Sequence, residues 1–282
     1  MPYTVPVMEV RMAPFLTAAA ATARMAGAST EVTPTDTFVP SAPPSDATEK
    51  SRVIREMIRK APGEQARQSV VDALSAYPLK ALEIVNAYGT KIEVFDFQNG
   101  DTVPEYLPTL AYGNVMGAYN TKANVLGLDV RDANFPLLHE FAHALDAALN
   151  EESATPEWKG AHSLAANTNR VVRDYAKQDP SEYLAEVTTA YLVPDDALYG
   201  RIEAGLASGA HGMDERDYMR MYQSMSKERL ERLDPDGHAL VADLLEQRIY
   251  EGNLANPQPA MTAEQWIAFT EAQHAKGELA LP

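Results

Sequence analysis

The sequence predicts an α+β fold, mostly helical with one small twisted β-sheet. Three observations carry that expectation. Apolar residues recur at helical spacing along most of the chain. Only Lys91–Phe97 and the pair formed by Gly117–Tyr119 and Val125–Val130 look like strands, the latter two as a hairpin around Asn120-Thr121-Lys122. One apolar helical stretch carries His139-Glu140-Phe141-Ala142-His143, an H-E-x-x-H pattern whose histidines fall on one helix face.

Composition sets outer bounds. A chain of 282 residues, 45% hydrophobic and 23% charged, suits one large globular domain or two small ones. The formal net charge of −16 repels phosphate, so no nucleic-acid partner is expected, and it suits a cationic substrate segment. There is no cysteine, which excludes disulfides and zinc–thiolate sites and is silent on compartment. No apolar run is long enough to cross a membrane, so no membrane span is expected.

Residues 1–45 read as a disordered or processed N-terminal segment. Ala13 to Ala28 is small and apolar, but Arg24 interrupts it and Glu9 stands where a signal peptide needs basic residues. No clear signal peptide results, and secreted and cytoplasmic locations stay open. Glu31 to Thr48, with Pro34, Pro40, Pro43 and Pro44, reads as a linker. The folded domain is expected over 46–282. Asp46 and Glu49 can cap a helix reaching Lys60, on which Val53, Ile54, Met57 and Ile58 form the apolar face. Further helices are expected over Glu64 to Ala76 and Leu79 to Tyr88, the latter stopped by Gly89. Asn99-Gly100-Asp101 turns the chain, and Thr102 to Met116 reads as a surface loop.

Asn134 and Pro136 can start the central helix. Leu137, Leu138, Phe141, Ala142, Ala144, Leu145, Ala148 and Leu149 wrap nearly all of it, so it is expected to be buried. His139, His143 and Asp146 make a polar stripe on that helix. Burying them without partners would cost several kcal/mol, and a metal would satisfy them. Later helices are expected over Glu157 to Tyr175 and from Asp179 to Leu192. The rest is helical by period, broken near Gly209–Gly212, Asp234-Pro235 and Asn256-Pro257.

A catalytic zinc takes three protein ligands and keeps a position for water. His139 and His143 supply two. A third histidine six residues after the second would make a metzincin, but that position is Leu149. A carboxylate is the better candidate, and Glu182 and Glu186 share one face of the later helix. Glu182 also fits a capping box with Asp179, a role compatible with ligation. Tyr175 taken alone reads as an ordinary packed tyrosine.

Four features together resemble the anthrax lethal factor–like zinc peptidases, which include the Pro-Pro endopeptidases. These are His139 through Asp146, Tyr175 seven residues before Glu182, Glu182-Tyr183-Leu184-Ala185-Glu186, and Gly117-x-Tyr119 leading to Val125-Leu126-Gly127-Leu128. The resemblance spans about Gly117 to Glu186. It implies a zincin-like, gluzincin-like metallopeptidase domain that binds Zn2+ through His139, His143 and Glu182. It implies an endopeptidase in which a metal-activated water attacks the peptide bond. Glu140 would act as general base and Tyr175 as oxyanion stabiliser. Asp146 and Glu186 would hold the ligands from behind. By the same resemblance the strand Asn124, Val125, Leu126, Gly127 and Leu128 would edge the cleft. A peptide or protein substrate is expected to pair with it in extended form, with Tyr106, Pro108 and Tyr112 as a wall. The alternative is a catalytically inactive peptide-binding protein of the same fold.

Overall fold

The computed structural model describes residues 46–111, 116–131, 134–208, 214–251 and 254–276. The N-terminal segment 1–45 and Tyr112 lie outside the described residues. Helix α1 (Asp46–Met57) buries the stripe Val53, Ile54 and Met57. It ends before Lys60: the chain becomes strand β1 (Ile58–Lys60), pairing in parallel with β2 (Lys91–Phe95). The pairing overrides the local helical period because it also resolves charge. Arg59 Nε reaches Glu93 Oε1 at 2.7 Å, and Lys60 Nζ reaches Asp101 Oδ1 at 2.9 Å. Between these strands lie α2 (Glu64–Leu74) and α3 (Leu79–Tyr88), the latter closed by Gly89 in the left-handed region, φ 101°.

Strands β3 (Gly117–Asn120) and β4 (Val125–Asp129) form the expected hairpin. The sheet order is β1-β2-β4-β3, with β3 antiparallel to β4 and the other pairs parallel. Its two faces are both covered. Ile92, Val94, Leu126 and Leu128 join the main core, with the helices. Phe95 and Val125 form a second small core with Tyr106, Leu107 and Leu110. The stretch 102–111 is therefore not a plain surface loop: its Leu107 is 1% exposed.

This topology corrects the expected substrate-binding strand. Val125, Leu126, Gly127 and Leu128 belong to a strand hydrogen-bonded on both sides, so its backbone has no free edge for a peptide. The Asn124 side chain is taken too: its Oδ1 accepts from Thr90 Oγ1 at 2.7 Å and from the Tyr119 hydroxyl at 2.8 Å. Gly127 serves packing, since a Cβ there would lie 2.3 Å from Leu107 Cδ1. The edge strands are β1 and β3, and β3 is the one beside Glu140.

Helix α4 (Phe135–Ala148) carries the H-E-x-x-H residues through the main core. Helix α5 (Pro156–Thr168) stops short of the expected Tyr175. Asn169 turns left-handed at φ 57°, and the Arg170 N–H caps the Ala165 carbonyl at 2.9 Å. Tyr175 then sits on a short 3-10 turn, Asp174–Lys177. Helix α6 (Pro180–Tyr191) packs along α4. The remaining helices are α7 (Asp195–Ser208), α8 (Glu215–Tyr222), α9 (Lys227–Leu233), α10 (Pro235–Asp243), α11 (Ile249–Glu251) and α12 (Ala263–Ala275). Between α11 and α12 an extended segment crosses the ends of three elements. The Ala255 N–H reaches Ala148 O at 2.9 Å, Gln258 N–H reaches Tyr88 O at 2.7 Å, and Met261 N–H reaches Ala123 O at 2.8 Å. Among the described residues no helix is long and apolar enough to cross a membrane.

If Gly127 is reserved for Leu107, Gly127→Ala should cost about 1–3 kcal/mol by overpacking. Chemical denaturation should show a lower midpoint with an unchanged slope; unaltered stability would mean the loop does not pack there.

Candidate metal centre

Helix geometry brings the first two groups together. His139 and His143 stand one turn apart on α4, and their Nε2 atoms are 3.2 Å apart. The third group comes from the first turn of α6. Asp179 caps that helix, its Oδ1 accepting from Ser181 N at 2.8 Å and Glu182 N at 3.0 Å. The cap leaves the Glu182 side chain free. Its Oε2 lies 3.0 Å from His139 Nε2 and 3.3 Å from His143 Nε2. So the Asp179 cap that closes the helix start also leaves the Glu182 carboxylate aimed at two imidazoles.

The donor set fits a cation. A tetrahedral zinc ion with bonds of about 2.0–2.1 Å sets its ligands roughly 3.3–3.4 Å apart, close to the 3.0, 3.2 and 3.3 Å found here. Of the two carboxylates left open by the sequence, Glu182 is the one that converges with both histidines. Glu186 stands behind them, fully buried, with Oε1 3.2 Å from His139 Nδ1 and Oε2 3.4 Å from Arg173 Nε. Burial opposes its charge, but Arg173 and His139 outweigh that and hold its pKa below the usual carboxylate value.

Burial also opposes charge on His139. Glu182 and Glu186 outweigh it and push the imidazole up to about 10. Burial likewise works against the Glu182 carboxylate, while the two histidines draw it well below the ordinary range. The pocket thus favours positive charge at its centre, from a proton or from a metal.

His143 is held differently. Its Nδ1 lies 3.1 Å from Ser181 Oγ, and Ser181 Oγ donates to Asp146 Oδ2 at 3.4 Å. Asp146 in turn accepts from Ser153 N and Ser153 Oγ, both at 2.7 Å. Asp146 therefore reaches its histidine through a hydroxyl and ties the end of α4 to the turn beyond it. With Nε2 turned to a metal, Nδ1–H donates to Ser181, which fixes the tautomer.

Tyr175 and Glu140 open onto the same cleft as the triad, a space of about 900 Å³ also bordered by Gly117, Ala118 and Tyr119 of β3. The Tyr175 ring lies 5.8 Å from that of His139. Its phenol is pushed up to about 12 by burial and by the carboxylates of Glu182 and Glu140, so it keeps its proton at neutral pH. Arg173 flanks it, 5.9 Å from its ring centre. Glu140 packs under the edge strand: a Cβ on Gly117 would approach Glu140 Cγ to 3.0 Å.

His139, Glu140, His143, Asp146, Tyr175, Glu182 and Glu186 thus gather at one place. Asn124, Val125, Leu126, Gly127 and Leu128 do not line the cleft. Sequence reasoning missed Arg173, Ser181 and Ser153. The signal for Arg173 is Glu186: a carboxylate buried on a packed helix face needs a cation beside it. Ser181 was absorbed into the capping segment.

No protein-family model matches the chain, and no curated protein matches it. Among solved structures it is similar to the Pro-Pro endopeptidase PPEP-2 from Paenibacillus alvei. The identity is 19%, over 68% of this chain and 99% of that one, with a TM-score of 0.44. A likeness that distant adds nothing to what the side chains establish.

Metal must displace the proton on His139, which is fully held at pH 7 because its pKa lies near 10. Loading should release about one proton per ion from this residue, and affinity should fall as pH drops further below 10. Calorimetry in buffers of different ionisation enthalpy measures this; no proton release would contradict the charge arrangement.

Proposed function

We propose that the chain is a zinc-dependent endopeptidase whose metal is held by His139, His143 and Glu182. The observation that carries this is the convergence of their donor atoms, at 3.0, 3.2 and 3.3 Å, with Glu140 and Tyr175 facing the same cleft. Zinc suits this set of imidazole nitrogens and a carboxylate, and it supplies Lewis acidity for the carbonyl and for an attacking water.

The chain's own residues would do the rest. Glu140 takes the proton of the attacking water and passes it to the leaving amine. Tyr175, protonated at neutral pH, donates to the oxygen that gains charge as the carbonyl becomes tetrahedral. Glu186 and Asp146 fix the imidazoles, the first directly and the second through Ser181. Arg173 neutralises Glu186 and flanks the tyrosine.

The substrate is an extended peptide laid against β3, which has one side of its backbone unpaired among the described strands. Antiparallel pairing is the more stable kind. With Gly117 beside Glu140, it places the residues preceding the scissile bond along β3 toward Asn120. The peptidase unit is 46–282. The net charge of −16 disfavours nucleic acid as a substrate.

Two variants test the chemistry. Glu140→Ala should retain stoichiometric zinc and lose hydrolysis of an unbiased peptide library. Tyr175→Phe should retain zinc and lower kcat by on the order of ten- to a thousand-fold. Full turnover in either variant would remove that residue from the mechanism.

A further inference from the structure

The free edge of β3 is short, and the chain itself ends it. In the β3–β4 ladder Gly117 lies opposite Leu128, Ala118 opposite Gly127, Tyr119 opposite Leu126 and Asn120 opposite Val125. The Asp129 N–H donates to Met116 O at 2.9 Å, so that pair faces inward. Antiparallel pairs alternate between bonded and non-bonded. Ala118 and Asn120 therefore spend their backbone groups on β4, and Gly117 and Tyr119 turn theirs outward. The next outward position would be Thr121. Its carbonyl already accepts from Gln258 Nε2 at 2.8 Å, and the Lys122 carbonyl accepts from the same nitrogen at 2.9 Å.

Gln258 is fixed from several sides. Its backbone N–H donates to Tyr88 O at 2.7 Å, its carbonyl accepts from Asn124 Nδ2, and its Oε1 accepts from the Tyr88 hydroxyl at 3.2 Å. Gly89 admits that backbone, since a Cβ there would lie 2.8 Å from Gln258 O. Pro257 and Pro259 flank it and limit its backbone further. Gln258 also lines the cleft that holds Glu140 and His143.

We infer that Gln258 is a specificity-determining residue: it occupies the Thr121 carbonyl and so ends the peptide-docking edge after Tyr119. The cleft then reads a short extended segment before the scissile bond. It makes backbone bonds to two peptide residues, opposite Gly117 and opposite Tyr119, and residues further upstream gain nothing from the strand. This rests on the peptide-cleaving reading for the direction of the chain, and deepens it by limiting what the substrate presents.

The test is a backbone N-methyl scan. Peptides are selected from a library by binding to the zinc-loaded full chain carrying Glu140→Gln. Each amide N-terminal to the site cut by wild-type protein, or to the residue nearest the metal if none is cut, is then methylated in turn. Two amides, spaced two residues apart, should each weaken binding several-fold when methylated. The amide two residues further upstream should be indifferent. In the added presence of Gln258→Ala, which keeps the backbone contacts of that position, this third amide should become sensitive because the Thr121 carbonyl is released. A third sensitive amide with Gln258 intact, uniform indifference, no bound peptide at all, or no change with Gln258→Ala would each overturn the inference. Should Gln258→Ala fail to fold, the scan with Gln258 intact still decides. Binding in the expected pattern without cleavage by wild-type protein would instead overturn the peptidase reading alone.

Discussion

The structure depends on a concentration of charge that a hydrophobic core would not tolerate unaided. Two imidazole nitrogens and a carboxylate oxygen meet within about 3 Å of one another where α4 and α6 pack. Behind them a second carboxylate, Glu186, is sealed from solvent. Lone pairs so close repel unless a positive charge sits among them. Arg173 answers Glu186, and the imidazoles and Glu182 form a group that could hold a cation of its own. The need for that charge explains the buried stripe on an otherwise apolar helix.

The surrounding fold serves to hold this arrangement still. Asp179 caps α6 and sets the angle from which Glu182 approaches α4. Tyr77 donates to the Leu138 carbonyl at 2.7 Å, pinning the turn of α4 just before His139. Ser153 and Ser181 satisfy Asp146, so the far end of α4 cannot rotate without breaking bonds at the helix and at His143. The sheet contributes an edge. Glu140 lies under Gly117, where a Cβ would come within 3.0 Å of Glu140 Cγ and press that side chain aside. In the proposed reaction the general base and the docking backbone would therefore lie against each other, which would couple where a peptide lies to where its bond is attacked.

Much of this was legible in the residues, and the rest was hidden for physical reasons. Helix α4 can be read because its apolar period and its polar exceptions are both local signals, and the same holds for Gly89 as a helix stop. The choice between Glu182 and Glu186 could not be made from spacing, since both face α4; only the angle between helices sends one to the two imidazoles and the other back toward Arg173. The sequence expects helix over β1 because the pairing of β1 with β2 is non-local. The interior place of β4 is hidden for the same reason: alternation locates a strand but does not say whether it lies inside a sheet or at its edge. Asn169 ended α5 through a left-handed turn that asparagine only permits, so the helix was read too far. Gln258 was invisible, being 137 residues from the carbonyl it occupies at Thr121.

X-ray absorption spectroscopy on zinc-loaded protein, together with metal analysis, measures the central claim most directly. One zinc per chain should be bound, with imidazole scattering from two histidines, oxygen ligands and no sulfur, at distances of about 2.0–2.2 Å. The His139→Ala protein should lose the ion. A spectrum without imidazole scattering, or zinc retained in full after that substitution, would contradict the account.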